Sequence, residues 1–120
     1  MKLLIVDDSN IMRKAIEKYL HEFGLQCVGT AGDGESAIEL FRDHLPDVVT
    51  LDITMPKMDG LSCLDEIMKI KPDTRVIVIS ALKDPATGIL AIKKGARGFL
   101  SKPFSPEELC EEMMNCLALN

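Results

Sequence analysis

Residues 47–52 have the sequence DVVTLD, in which four apolar or β-branched residues lead directly into a carboxylate. A short apolar run without polar alternation is typical of a strand that is buried on both faces, as in a parallel sheet covered by helices. Asp52 is therefore expected at the carboxyl end of a buried strand. An unpaired charge would be costly to desolvate there, so Asp52 is hard to interpret as an ordinary surface acid.

Four further β-branched or apolar runs occur along the chain, and those at 2–6 and 75–80 are also apolar on nearly every position. Segments with helical spacing follow each of the five runs. The predicted strands cover residues 2–6, 26–30, 47–51, 75–80 and 98–101. The residues with helical spacing are Met12, Ile16, Tyr19 and Phe23; Ala37, Ile38 and Phe41; Leu61, Leu64, Ile67 and Met68; Ile89 and Ile92; and Leu109, Met113, Cys116 and Leu117. Five alternations of strand and helix predict an α/β, doubly wound parallel sheet.

Several residues mark where the predicted helices begin and end. Ser105 and Glu108 have the spacing of a capping box, with Pro106 at the first helical position. Gly24 and Gly95 fit the left-handed position after a helix, which glycine adopts without steric cost. The fourth helix follows Asp84 and carries poor helix formers in its first turns, so we expect it to be the least stable helix.

Composition limits the possible functions. With 120 residues, 47% apolar and 28% charged, the chain fits one globular domain over residues 1–120. The apolar runs are too short to cross a membrane, and a cytoplasmic location is expected. A net charge of −5 without a basic cluster argues against nucleic-acid binding, so we expect protein partners. The protein is also expected to be a monomer. The scattered cysteines, Cys27, Cys63, Cys110 and Cys116, indicate reduced thiols and neither zinc nor disulfides.

Polar residues end four of the predicted strands: Asp7 and Asp8, Asp52, Ser80, and Lys102. Functional groups of an open parallel sheet collect beyond the carboxyl ends of its strands. If the first and third strands are neighbours, about 4.8 Å apart, the three carboxylates converge. Such an all-oxygen cluster suits a hard divalent cation such as Mg²⁺.

These groups together match one kind of chemistry. A carboxylate nucleophile, a divalent cation, an ammonium group and a hydroxyl are what phosphoryl transfer onto aspartate requires. Taken singly, Asp7 or Asp8 has the simpler interpretation of a helix cap, and Ser80 that of a loop hydroxyl. It is their conjunction on one edge of the sheet that points to a site.

The sequence resembles the receiver domains of bacterial response regulators, and among these the stand-alone CheY-type chemotaxis regulators are most similar. The stretches that carry the resemblance are LIVDDS at 4–9, DVVTLDITMPKMDG at 47–60, VISA at 78–81 and GARGFLSKPF at 95–104. The resemblance implies a flavodoxin-like (βα)5 fold with strand order 2-1-3-4-5, an order that is taken from this family and does not follow from the residues.

The resemblance also implies roles for the residues at the predicted edge. Asp52 is expected to be the phosphoacceptor, and Lys102 to contact the phosphoryl group. Asp8 is expected to bind Mg²⁺ directly, together with Asp52 and the backbone carbonyl of Thr54. Asp7 is expected to hold the ion through water.

Two further residues are implied to be the switch that responds to phosphorylation. Ser80 matches the switch hydroxyl and Phe99 the switch aromatic residue, and the Lys102–Pro103 bond is often cis in this family. Phe99 stands where the chemotaxis regulators have tyrosine, so it cannot offer a hydroxyl to a partner. The apolar Leu82 would orient no attacking water, which predicts slow self-dephosphorylation.

The implied partners are a sensor histidine kinase and a downstream effector protein, for which the flagellar motor switch is a candidate. The domain would not be an enzyme beyond its own phosphorylation and dephosphorylation. Three alternatives stay open. A haloacid-dehalogenase-type phosphatase needs a second aspartate where Thr54 stands, a flavodoxin needs a hydroxyl-rich phosphate loop where Asp7 and Asp8 stand, and a metal-free pseudo-receiver would act only as a scaffold.

Overall fold

The computed structural model describes residues 1–54, 60–81 and 85–118. Five strands alternate there with five α-helices, and one 3₁₀ helix lies at His21–Phe23. The strands are β1 Lys2–Val6, β2 Gln26–Ala31, β3 Val48–Asp52, β4 Arg75–Ser80 and β5 Gly98–Ser101. The helices are α1 Asn10–Leu20, α2 Gly34–His44, α3 Gly60–Ile70, α4 Pro85–Lys93 and α5 Pro106–Ala118. All five predicted strands are confirmed, with ends that differ by at most one residue.

The five strands form one parallel sheet in the order β2-β1-β3-β4-β5, which confirms the implied topology. Every residue of β3 is buried, as its unbroken apolar pattern predicts. One face of the sheet packs on α2, α3 and α4 through residues such as Leu4, Val49 and Val78, and the other packs on α1 and α5 through Ile5 and Ile77. Because Val6 pairs with Leu51, the residues that follow β1 and end β3 meet at one edge.

The predicted helix ends are confirmed at three places. At the start of α5, the Ser105 Oγ accepts from Glu108 N at 3.1 Å and the Glu108 Oε1 accepts from Ser105 N at 3.1 Å, which is a complete capping box. Gly24 and Gly95 have φ values of 68° and 111°. Leu45 ends α2 in the same region, with φ 47°, and nothing in its residue type predicts this.

Helix α4 is confirmed, but its core face is not the one that its apolar spacing indicates. Ile89 and Ile92 are 58% and 50% exposed, and Leu90 is 43% exposed. The small side chain of Ala91 is the one that is fully buried. The large apolar residues of α4 therefore form an exposed surface.

The four cysteines are free thiols, as predicted, and Cys63 and Cys116 are buried. Burial raises the pKa of the Cys63 thiol to about 11, so this thiol stays protonated near neutral pH. None of the helices in the described ranges is long and apolar enough to span a membrane.

Candidate functional site

Asp52 lies at the end of β3 with 2% of its surface exposed. Its Oδ1 accepts two hydrogen bonds from Thr54, one from the backbone N at 2.8 Å and one from Oγ1 at 2.7 Å. Its Oδ2 accepts from Lys102 Nζ at 2.9 Å. Both oxygens of this buried carboxylate are therefore held by donors, which offsets the cost of removing its charge from water.

Lys102 directly follows β5 and brings the positive charge to the site. Its Nζ lies 2.9 Å from Asp52 Oδ2 and 2.9 Å from Asp7 Oδ2. Burial by itself would lower the pKa of Lys102, but Asp7 and Asp52 outweigh that effect and raise the pKa above its ordinary value. The backbone N of Lys102 donates to Ser80 O at 2.8 Å, and the Lys102–Pro103 bond is cis, as the resemblance implied.

Asp7 and Asp8 follow β1, and Ser9 turns the chain into α1. The Ser9 side chain accepts from Met12 N at 3.1 Å, so Ser9 and not Asp7 or Asp8 caps the helix. Asp7 is fully buried, and its Oδ1 accepts from Ser9 N at 2.9 Å. Its Oδ2 has Lys102 as an ionic neighbour but accepts no hydrogen bond from any described residue. Asp8 is exposed.

The three acids form a site that fits a hard divalent cation. Oxygens of Asp7, Asp8 and Asp52 all lie within 4.8 Å of one another, and no other such group of three exists in residues 1–54, 60–81 and 85–118. Among the described residues, Lys102 is the ammonium that contacts these carboxylates, with its Nζ 2.9 Å from Asp7 Oδ2 and 2.9 Å from Asp52 Oδ2. Carboxylate oxygens of this kind are the ligands that magnesium takes in proteins.

The two residues implied to be the switch lie on β4 and β5. Ser80 is fully buried at the end of β4, in a strand whose Ile79 pairs with Asp52. Phe99 is half-buried on β5, and its ring lies close to Gly88 of α4. If Gly88 carried a Cβ, that atom would lie 3.6 Å from three atoms of the ring. Residues 55–59 of the resemblance, Leu82 and Asp84 lie outside the described residues, so the interpretations of Leu82 and Asp84 stay predictions.

Two contacts at the site were missed by sequence reasoning. Arg13 of α1 reaches back to donate from Nη1 to the carbonyl of Asp7 at 2.6 Å. The Arg13 side chain lies close to Gly32, since a Cβ added at Gly32 would be 3.0 Å from the Arg13 Nη1. Thr54 was predicted only as a carbonyl ligand, and that role stays a prediction, whereas its backbone N and hydroxyl contact Asp52. The only available signal was the closeness of both residues in sequence to the acidic strand ends.

The sequence matches the response regulator receiver domain family over residues 3–114. It is 42% identical over 112 residues to the chemotaxis protein CheY of Thermotoga maritima, which covers 93% of each chain. It is 47% identical over 108 residues to a probable transcriptional regulator ycf27 of Guillardia theta, which covers 90% of this chain and 42% of that one. A crystal structure of the CheX–CheY–BeF3–Mg²⁺ complex from Borrelia burgdorferi is similar with a TM-score of 0.93 at 38% identity, covering 99% of this chain and 90% of that chain. The chain therefore belongs to the response regulator receiver domains, the receiver modules of two-component signalling.

Proposed function

We propose that Asp52 accepts a phosphoryl group from a phosphohistidine of a sensor histidine kinase. A carboxylate oxygen of Asp52 attacks phosphorus, and the nitrogen–phosphorus bond breaks with its electron pair going to the imidazole, which takes up a proton. Lys102 stabilises the negative charge of the transferring oxygens. The observation that carries the proposal is the contact of Lys102 Nζ with both Asp52 Oδ2 and Asp7 Oδ2, at 2.9 Å each.

Asp7, Asp8 and Asp52 would hold Mg²⁺, with the backbone carbonyl of Thr54 as a further ligand. When bound, the ion supplies positive charge to the phosphoryl oxygens. The close grouping of the three carboxylates supports this, and so does the naming of Mg²⁺ in the similar Borrelia burgdorferi complex. The domain turns over no external substrate and catalyses only its own phosphorylation and dephosphorylation.

Phosphorylation then changes the surface that a downstream protein binds. Ser80 moves toward the phosphoryl group and Phe99 turns inward, which shifts an existing equilibrium between two conformations. The surface that changes is the one around α4 and β5, where Phe99 lines an open apolar groove of about 540 Å³ together with Ile89 and Ile92. The relatives named as chemotaxis proteins support a chemotaxis effector as the downstream partner, and the flagellar motor switch is the candidate that we propose. A monomeric protein in the cytoplasm is part of the same proposal.

Incubation with acetyl phosphate and Mg²⁺, followed by intact-mass measurement, tests the proposal. We expect the wild type to gain the mass of one phosphoryl group and Asp52→Asn to gain none. The exposed Asp43 of α2 provides a matched control, because Asp43→Asn removes the same charge away from the site and should be modified as the wild type is. Chelation of the metal should abolish the gain.

An unmodified wild type, or equal modification of Asp52→Asn, would contradict the proposal. Sustained release of phosphate from a phosphomonoester would instead favour the phosphatase alternative.

A further inference from the structure

The hydroxyl of Thr54 joins the phosphoacceptor to the chain segment that leaves β4. Its Oγ1 donates to Asp52 Oδ1 at 2.7 Å and accepts from the backbone N of Ala81 at 3.3 Å. A threonine hydroxyl has one hydrogen, so the amide of Ala81 occupies an acceptor position and the hydrogen points to the carboxylate. The order of donation is therefore Ala81 N–H to Thr54 Oγ1–H to Asp52.

This bridge stands where the backbone pairing of β3 and β4 stops. Within the described residues, the last backbone hydrogen bond between these two segments runs from Ile53 N to Ile79 O at 3.0 Å. The contact from Ala81 to Thr54 lies beyond it, and it depends on a side chain. It can therefore be broken by chemistry at Asp52 without disturbing the sheet.

We propose that Thr54 is a positioning residue that couples the chemical state of Asp52 to the segment after β4. The inference rests on the proposed phosphorylation of Asp52. In the unmodified protein, Oδ1 belongs to a charged carboxylate and accepts a strong, charge-assisted hydrogen bond. In the acyl phosphate, the negative charge lies on the phosphoryl oxygens and the former carboxylate oxygens become weak acceptors. The hydroxyl loses the acceptor that orients it, and Ala81 loses its partner.

The coupling is separate from the other hydrogen bonds that hold the same elements together. Asp52 keeps its bonds from Thr54 N and Lys102 without the hydroxyl. The end of β4 keeps the bond from Lys102 N to Ser80 O at 2.8 Å. Removing the Thr54 hydroxyl should therefore affect the Ala81 amide and leave the amide of Lys102 as it is.

The first test uses the unphosphorylated protein and amide hydrogen exchange measured by NMR. Thr54→Val has nearly the same shape without a hydroxyl, and we expect its Ala81 amide to exchange about fivefold faster than that of the wild type. Thr54→Ser keeps the hydroxyl and should restore protection to within about twofold of the wild type. The Lys102 amide serves as the internal control. Should Thr54→Val fold poorly, Thr54→Ala also removes the hydroxyl and gives the same comparison with a smaller side chain.

The second test adds acetyl phosphate and Mg²⁺ and follows the Ala81 amide resonance, with intact mass measured on the same samples. We expect phosphorylation to shift this resonance in the wild type and in Thr54→Ser, and to shift it by less than about half as much in Thr54→Val. Equal Ala81 exchange in wild type and Thr54→Val, or an equal shift on phosphorylation, would overturn the inference. A wild type that gains no mass contradicts the proposed function instead, and the unphosphorylated comparison still decides whether the bridge holds Ala81.

Discussion

Thr50 lies in the middle of β3 with its hydroxyl fully buried and without a hydrogen-bond partner among the residues that the structure describes. A buried hydroxyl that makes no hydrogen bond costs free energy, because it gave up its bonds to water. Valine has nearly the same shape and a stronger preference for strands. We expect Thr50→Val to raise the free energy of unfolding by about 1 kcal/mol, measured by urea denaturation.

Thr74 provides the matched control for this substitution. It is equally buried, but its Oγ1 donates to Lys71 O at 2.8 Å. Thr74→Val removes this hydrogen bond, although the carbonyl keeps its bond from Thr74 N at 3.0 Å, and it should lower the free energy of unfolding by about 1 kcal/mol. If the two substitutions changed stability in the same direction, the different bonding of the two hydroxyls would not be the cause.

The residues of the site differ in how well the sequence can predict them. Asp52 and Lys102 are recognisable because each follows an apolar run, and the carboxyl ends of parallel strands meet at one edge. The hydroxyl contact of Thr54 and the reach of Arg13 back to Asp7 depend on side-chain torsions and on the space above Gly32. Neither torsions nor free space leave a periodic pattern in the sequence.

Among the secondary-structure elements, α4 shows that apolar spacing can predict a helix without predicting which of its residues are buried. The spacing of Ile89 and Ile92 correctly predicts a helix, yet both side chains are at least half exposed. Ala91 is the buried side chain of α4, so the spacing of the larger apolar residues does not show which face of this helix meets the core. By contrast, α5 buries Leu109, Met113 and Cys116, three of its four predicted apolar positions.

This difference in burial predicts a difference in local stability. With one buried side chain against three, and with Gly88 in its interior, α4 should open more readily than α5. We expect backbone amides of α4 to exchange at least about tenfold faster than those in the centre of α5. Hydrogen exchange read by NMR on the unphosphorylated protein measures both helices at once, and equal protection would contradict a movable α4.

The whole molecule brings together groups that are far apart along the chain. Asp7 and Asp8 follow β1, Asp52 ends β3 and Lys102 follows β5. The order β2-β1-β3-β4-β5 places β1 and β4 on either side of β3, with β5 beside β4. Alternation of strands and helices predicts the class of fold, but residue patterns alone do not fix that order. The resemblance supplied it, because the order depends on how the crossovers pack and not on any single strand.

The gathered charges predict how the stability of the whole domain responds to magnesium. Asp7, Asp8 and Asp52 repel one another within 4.8 Å, and Lys102 offsets only part of that repulsion. Because Asp8 is exposed, Asp8→Asn removes one charge without leaving a buried group unpaired. Without metal, the variant should be slightly more stable than the wild type.

With magnesium the order should reverse. Magnesium at a concentration of ten times its Kd for the native state should stabilise the wild type by about 1.4 kcal/mol. A site with only two carboxylates should bind the ion more weakly and lose most of this stabilisation. Thermal unfolding with Mg²⁺ and with a chelator measures this reversal in the order of stability. Magnesium should raise the unfolding temperature of the control Asp43→Asn as much as that of the wild type. The three carboxylates are close enough that the loss of one should weaken the binding of any ion between them. If magnesium raised the unfolding temperature of Asp8→Asn as much as that of the wild type, the ion would bind elsewhere.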